Sequence, residues 1–347
     1  MALKHSTSTL TPISALYLVL LAMQYSIMPR ISKKYVDKRT NKESLAVVEE
    51  GVKMAMGVAG FLLTDNQKVL TLTKNWTLSS SLLAAGIPSA LYAIQGVLTH
   101  TAYQNLDSVT FNGLTQVKTL SAAICCYFLL GKAQSKMQIL ALIFLFSSTL
   151  IFQGTAGRFL KSLRTGSMRA RSKADFQTHY LLGIIPCLGA TILSGLAGAL
   201  SQRSLQIVGG PNERNAFFYS AEISFFSAVC LIASSVSRRL SLNKENKTLL
   251  EKGNGKHRSG YFDYWSGATF IPIFVKALGG ILTALVHKNS GSVMKGFALV
   301  LGLIFSGLIQ AVIDNETLSS NQIFATSLVL LSSWLHFTNP LIVNTMN

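Results

Sequence analysis

Residues 79–130 read SSSLLAAGIPSALYAIQGVLTHTAYQNLDSVTFNGLTQVKTLSAAICCYFLL. They hold two mainly apolar runs, 79–103 and 108–130, joined by little more than Asn105-Leu106-Asp107. At 1.5 Å rise per residue, about 20 apolar residues cross the hydrocarbon core of a bilayer, so the stretch predicts a tight antiparallel hairpin of membrane spans. The same event recurs in the second half, where Lys288-Asn289-Ser290-Gly291 separates the apolar runs 263–286 and 292–313.

Working outward, ten such runs emerge, at 12–30, 44–64, 79–103, 108–130, 137–156, 180–201, 214–236, 263–286, 292–313 and 320–340. The first, Ile13 to Met28, is followed by Pro29-Arg30 instead of a small-residue cleavage site and is read as a retained span. The recurring hairpin predicts an all-α membrane protein of ten transmembrane helices in two inverted five-helix repeats, 1–156 and 179–347, joined by a basic connecting loop, 157–178. An odd number of spans per repeat forces opposite orientations, a common plan of secondary transporters. Residue likeness between the halves is faint: Asn105-x-x-Ser108-Val109 against Asn289-x-x-Ser292-Val293.

Composition agrees. The chain has 347 residues, 49% hydrophobic and only 13% charged, too little polar material to coat several water-soluble domains. The net charge of +17 resides mainly in Arg30–Lys42, Arg158–Lys173 and Arg238–Arg258, between apolar runs, a distribution that points to topology or anionic lipid headgroups and away from nucleic acid. Cys125, Cys126, Cys187 and Cys230 all lie in apolar runs without CxxC spacing or a His cluster, so neither a disulfide framework nor a metal site is expected. No Walker A loop, HExxH or GxSxG occurs, which leaves exchange or facilitated transport and no cofactor.

Charges inside the spans carry the chemistry: Glu49, Glu50 and Lys53 in the second, Lys118 in the fourth, Glu222 in the seventh, Lys276 in the eighth and Lys295 in the ninth. Each costs at least about 2.5–3.5 kcal/mol at mid-bilayer unless it has a partner, a wet cavity or a snorkelling route. Lys118 is placed near mid-depth of a continuous span; Lys295, one turn inside its own, can reach an interface. Glu50 and Lys53, three residues apart, form a structural or gating pair. Tyr92, Gln95 and Thr99 share one helical face, Phe111, Thr115 and Lys118 another, and Asn215 and Tyr219 add polar groups on the seventh span. The same polar residues also suit interhelical hydrogen bonding. A cavity with fixed lysines favours an anionic, phosphorylated solute, and tyrosine and amide groups suit a ring.

These residues resemble the nucleotide-sugar transporters, in the subgroup carrying CMP-sialic acid, UDP-galactose and UDP-N-acetylglucosamine, within the drug/metabolite transporter superfamily. The resemblance is densest at Pro88-x-x-x-Tyr92-x-x-Gln95, Asn105-Leu106-Asp107 with Thr110-Phe111, and Gln116-Val117-Lys118, and returns at Ser194-Gly195-Leu196-Ala197-Gly198, Arg214-Asn215 with Tyr219, Gly279-Gly280 and Met294-Lys295-Gly296-Phe297. It implies antiport of a cytosolic nucleotide sugar against a luminal nucleoside monophosphate in a Golgi or endoplasmic reticulum membrane. It also implies that Lys118 and Lys295 face the phosphates while Tyr92, Gln95, Asn215 and Tyr219 surround base and ribose. Expected partners are those two nucleotides, the bilayer, and a second copy of the chain or glycosyltransferases.

Gly96, Phe111 and Lys276 depart from the family pattern and leave base and sugar open, with a UDP-sugar favoured over CMP-sialic acid. A carrier of other phosphorylated metabolites and a non-transporting nucleotide-binding protein are the alternatives; a membrane transferase would need a DxD-like carboxylate cluster, which the sequence lacks. The resemblance makes the termini cytosolic and the basic loops luminal, whereas the positive-inside rule argues the reverse. The sequons Asn75-Trp76-Thr77 and Asn246-Lys247-Thr248 fall in loops of opposite parity and distinguish the two topologies.

Overall fold

The structure, a computed structural model, describes residues 11–37, 39–64, 76–106, 111, 114–152, 179–206, 214–250, 261–314 and 319–339. Among them the chain is all-helical. Ten principal helices follow in order: α1 Pro12–Tyr35, α2 Lys42–Leu62, α3 Ile87–Asn105, α4 Lys118–Leu130, α5 Lys136–Phe152, α6 Ile185–Gln206, α7 Ala216–Leu250, α8 Phe270–Asn289, α9 Ser292–Asp314 and α10 Ser320–Thr338.

Local chemistry sets the ends. Thr11 caps α1 by accepting from the Ser14 amide with Pro12 just inside, Asn41 caps α2 through the Glu43 amide, and Ser319 and Gln322 form a reciprocal capping box on α10. Gly131 ends α4 in the left-handed conformation, and Gly291 (φ 93°) makes the tight α8–α9 turn. α3 and α6 are each entered through a π-helical turn, Leu82–Gly86 and His179–Ile184, directly before Ile87-Pro88 and Ile185-Pro186. Proline lacks an N–H and crowds the preceding carbonyl, and a π register absorbs both defects without breaking the helix.

Among the described residues, six helical segments are long and apolar enough to cross a membrane: Pro12–Tyr35, Leu78–Ala102, Leu181–Gln206, Ala216–Ser237, Gly267–Asn289 and Ser292–Ile313. α4 and α5 are apolar but shorter. Large apolar side chains face outward, among them Leu16 and Val19 on α1, Phe128 on α4, Ile192 on α6 and Val312 on α9. Water would not tolerate so much exposed apolar surface on one monomer, and lipid does. The chain is a multi-pass membrane protein.

Two expectations are corrected. The fourth span is not one unbroken helix over 108–130: Phe111, Leu114 and Thr115 are helical, a turn at Gln116–Val117 interrupts the helix, and α4 resumes at Lys118. Lys118 therefore directly follows a break in the span instead of sitting in the middle of a continuous helix. The seventh helix does not stop at 236 but runs on to Leu250. Beyond 236 only the hydropathy ends; Leu, Arg, Lys and Glu sustain the helix, with no Gly or Pro before Gly253. Its 35 residues span roughly 52 Å, well past a hydrocarbon core of about 30 Å. Asn246 thus belongs to a helix, while Asn75 and the whole 157–178 loop lie outside the described residues.

The helices pack in a pattern. α2 lies on α7 and α5 on α10; α3 packs on α6 and α1 on α8; α4 packs on α6 and α1 on α9. Small residues permit the close approaches: a Cβ at Gly57 would lie 2.8 Å from the Phe217 carbonyl oxygen, and one at Gly195 2.7 Å from the Ser121 backbone.

Candidate functional site

Where the two halves meet, α3, α4, α6, α8 and α9 enclose a chamber of about 240 Å³. Lys118 enters from the first turn of α4 and Lys295 from the first turn of α9, each with a glycine or small residue opposite: a Cβ at Gly296 would collide with Thr119, and one at Gly198 with Ser292 Oγ. Thr115, Gln116, Thr119, Ser194 and Ser292 supply hydroxyl and amide groups, and among the described residues no carboxylate lines this chamber. Two cations beside neutral donors, with no carboxylate counter-ion among the described lining residues, make a chamber for a multiply charged anion.

A second chamber of about 210 Å³ shares Tyr92, His287 and Lys295 with the first. It is lined further by Ser201, Tyr219, Ser220, Ser227 and Thr283, and closed on one side by Glu50 and Lys53. Glu50 and Lys53 form an ion pair of 2.7 Å with both side chains 14% exposed, and Gly280 leaves room for the lysine stem to pass. Pairing satisfies this lysine, so it adds little net charge to the cavity. The Lys295 ammonium lies 5.8 Å from the centroid of the Tyr92 ring, which both orients the lysine and fixes the ring between the chambers. Tyr219 is 2% exposed, and its hydroxyl makes no well-formed hydrogen bond among the described residues. Ser201 is the side chain that its hydroxyl approaches, and the loose geometry leaves bonding capacity for a ligand.

Of the residues singled out in the sequence, Lys118, Lys295, Tyr92 and Thr115 line the first chamber, and Tyr219, Glu50 and Lys53 line the second with Tyr92 and Lys295. Gln95 and Asn215 line neither. Gln95 lies one turn along α3 from Tyr92, its carbonyl taking the Thr99 hydroxyl at 2.7 Å. Asn215 accepts from the Phe217 amide at 2.8 Å at the start of α7 and donates to Thr64 at 3.3 Å. The departures from the family pattern also find places. Phe111, half-buried, packs against the apolar cluster of Ala102, Leu106, Leu114, Leu150 and Cys187. A Cβ at Gly96 would meet nothing within 4 Å. Lys276 pairs with Glu49 of α2 at 2.6 Å.

Sequence reasoning missed His287, Ser292, Thr119, Ser194 and Ser201 as cavity residues. His287 and Ser292 flank a connector read only as a turn, and the hydroxyls look like ordinary packing residues until the helices are assembled. It also left Glu222 without a partner. Arg214 Nε meets Glu222 Oε2 at 2.9 Å with the two side chains 7% and 5% exposed; Trp76 Nε1 donates to Glu222 Oε1 at 3.0 Å, and Arg214 Nη2 to Ser80 Oγ at 3.1 Å. This buried network ties the start of α7 to the entry of α3, at the bundle end that also holds the α8–α9 hairpin, where Lys288 Nζ donates to the Arg214 carbonyl at 3.2 Å.

The sequence profile described as nucleotide-sugar transporter matches residues 6–337. The chain belongs to the nucleotide-sugar transporter family. Among curated relatives, the transporter is 32% identical to the UDP-N-acetylglucosamine transporter ROCK1 of Arabidopsis thaliana, over 97% of this chain and 95% of that one. It is 24% identical to the UDP-N-acetylglucosamine transporter of Rattus norvegicus (93% and 91% covered) and 24% identical to the UDP-galactose transporter of Schizosaccharomyces pombe (95% and 88%). A solved crystal structure superposes on 95% of the transporter and 99% of its own chain with a TM-score of 0.61 at 11% identity, which establishes likeness of fold. The transporter is not an enzyme, in keeping with its family.

Proposed function

We propose that this transporter exchanges a cytosolic UDP-sugar, with a UDP-N-acetylhexosamine favoured over UDP-galactose, for a luminal nucleoside monophosphate across a Golgi or endoplasmic reticulum membrane. The observation that carries the reading is the convergence of Lys118 and Lys295, one from each half of the chain, on a single chamber that no carboxylate lines among the described residues. Two ammonium groups match a diphosphate or a monophosphate dianion, and the adjoining chamber, with the Tyr219 ring and several hydroxyls, suits a nucleoside. The names of the relatives favour UDP-linked sugars, with the most weight on N-acetylglucosamine at 32% identity.

Exchange requires that the site face each side in turn, and inverted repeats supply two arrangements of equal kind. Helix packing supports repeats of five: replacing every helix number n by n + 5, cyclically, turns α3–α6 into α8–α1 and α4–α6 into α9–α1, and leaves α2–α7 and α5–α10 unchanged. In this reading the Glu50–Lys53 pair steadies α2 against α8 beside the cavity as the halves rock, and bound nucleotide neutralises Lys118 and Lys295 so that the loaded cavity closes more readily than the empty one.

The test is counterflow in proteoliposomes loaded with UMP. Labelled UDP-N-acetylglucosamine should enter faster than into empty vesicles, and Lys118→Ala should abolish the difference, since loss of a charge-assisted contact weakens binding by roughly 10–100-fold. A panel of UDP-, CMP- and GDP-sugars, none stimulated by any nucleoside monophosphate, would refute the proposal.

A further inference from the structure

Among the described residues, three side chains line both chambers: Tyr92, Lys295 and His287. The first two belong to the site already described; the imidazole has no assigned role. His287 sits in the last turn of α8, 2% exposed, and its placement is over-determined. Its carbonyl accepts from Gln206 Nε2 at 2.9 Å, and the turn that follows is pinned by Gln202 Oε1, which takes the Ser292 amide at 2.7 Å. Its side chain makes one long contact, Nε2 to Ser292 Oγ at 3.4 Å, and the second ring nitrogen has no hydrogen-bond partner among the described residues.

A buried imidazole held this firmly, with one nitrogen barely engaged and the other free, is a polar group whose bonding is incomplete until something enters the cavity. Packing alone does not call for a nitrogen here, since an apolar side chain of the same size would fill the space. The imidazole also lies where the two chambers join. If the lysine chamber takes phosphate and the Tyr219 chamber takes the nucleoside, the atoms at that joint are the phosphate attached to ribose and the ribose hydroxyls.

We propose that His287 is a substrate-contacting residue that hydrogen-bonds the nucleotide at its phosphate–ribose junction, the portion common to the nucleotide sugar and to the nucleoside monophosphate. The assignment rests on the exchange reading above. One site must bind both partners of the exchange, and a contact to their shared atoms serves both, whereas a contact to the sugar would serve only one. Ser292 holds one ring nitrogen in place and leaves the other directed at the ligand.

The experiment measures half-saturation for UMP and for UDP-N-acetylglucosamine separately, in counterflow, with His287→Leu, which fills the space without a nitrogen, and His287→Asn, whose amide falls near the inner ring nitrogen. Expected is a rise of about tenfold for both ligands in the leucine variant, the loss of one hydrogen bond to a charged group, with most of it recovered in the asparagine variant. Melting without ligand, followed in parallel, should be unchanged or raised in the leucine variant. Should that variant fail to fold, His287→Ala takes its place under the same criteria. Unchanged half-saturation in both variants overturns the inference. So does equal loss in both, the mark of a packing role, and so does a rise confined to the UDP-sugar, the mark of a sugar contact. Absence of exchange in the unsubstituted protein would instead sink the transport reading, so the two failures are distinguishable.

Discussion

Replacing Glu222 by leucine should destabilise the transporter more than replacing Glu222 and Arg214 together. In the native bundle the Arg214–Glu222 pair is almost wholly buried, at 7% and 5% exposure, with Trp76 and Ser80 completing its hydrogen bonds. Removing only the carboxylate leaves a guanidinium in a dry site with Ser80 as its remaining side-chain partner, a loss of about 3–5 kcal/mol. Removing both charges, as in Arg214→Met with Glu222→Leu, takes the uncompensated charge away and orphans mainly the Trp76 N–H, for about 1–3 kcal/mol. Melting midpoints should therefore fall in the order native, double variant, single variant, with the double variant about 2 kcal/mol more stable than the single one, far from additivity. Cys126 and Cys187 are free and buried, so a thiol-reactive fluorogenic dye reports unfolding in detergent without added labels. If the double variant melts below the single one, or if the losses simply add, the network is not an ion pair held by mutual compensation and the reasoning fails.

Other substitutions probe the packing and the cavity wall. Gly195→Leu should wedge α6 away from α4, because a Cβ already sits 2.7 Å from the Ser121 backbone; overpacking of this kind costs about 1–3 kcal/mol or more, read as a lower melting midpoint together with lost exchange. Gly96→Ala should do the reverse: its Cβ meets nothing within 4 Å, so the helix gains roughly 0.5–1 kcal/mol from reduced backbone freedom, and a loss of stability there would show a neighbour that the packing does not reveal. Gln206→Leu should cost about 2–4 kcal/mol, since it removes the acceptor of Lys132 at 2.7 Å and the donor to the His287 and Lys288 carbonyls at 2.9 and 3.2 Å; unchanged melting would mean that solvent takes over those bonds.

Much of the fold is legible along the chain because a bilayer imposes a one-dimensional rule. Apolar runs of about 20 residues mark the helices wherever they occur, and the turn residues between 105 and 107 and between 288 and 291 mark the two tight hairpins. The rule reads hydropathy and not backbone, which is why it ran across the break before α4 and stopped short of the end of α7: a turn at Gln116–Val117 interrupts the helix inside an apolar run, and Leu250 ends a helix far outside one. Charges within the spans were equally visible, because each is expensive in lipid and must have a reason.

What the linear sequence determines by itself is the solvent of this protein, the number and rough position of its helices, and the short list of ionisable groups that need partners. It also carries, in Tyr92, Lys118 and Lys295, enough of a motif to resemble its family. Only the tertiary structure decides which of those groups are answered by one another and which are left for a ligand. Glu50 with Lys53, Glu49 with Lys276 and Arg214 with Glu222 neutralise one another, one of the three pairs across two helices, whereas Lys118 and Lys295 meet in one chamber that no carboxylate lines among the described residues. The physical reason is that compensation between buried charges acts over a few ångströms in space, and residues 227 and 177 positions apart become neighbours, as Glu49 does with Lys276 and Lys118 with Lys295, only when α2 packs on α8 and α4 on α9.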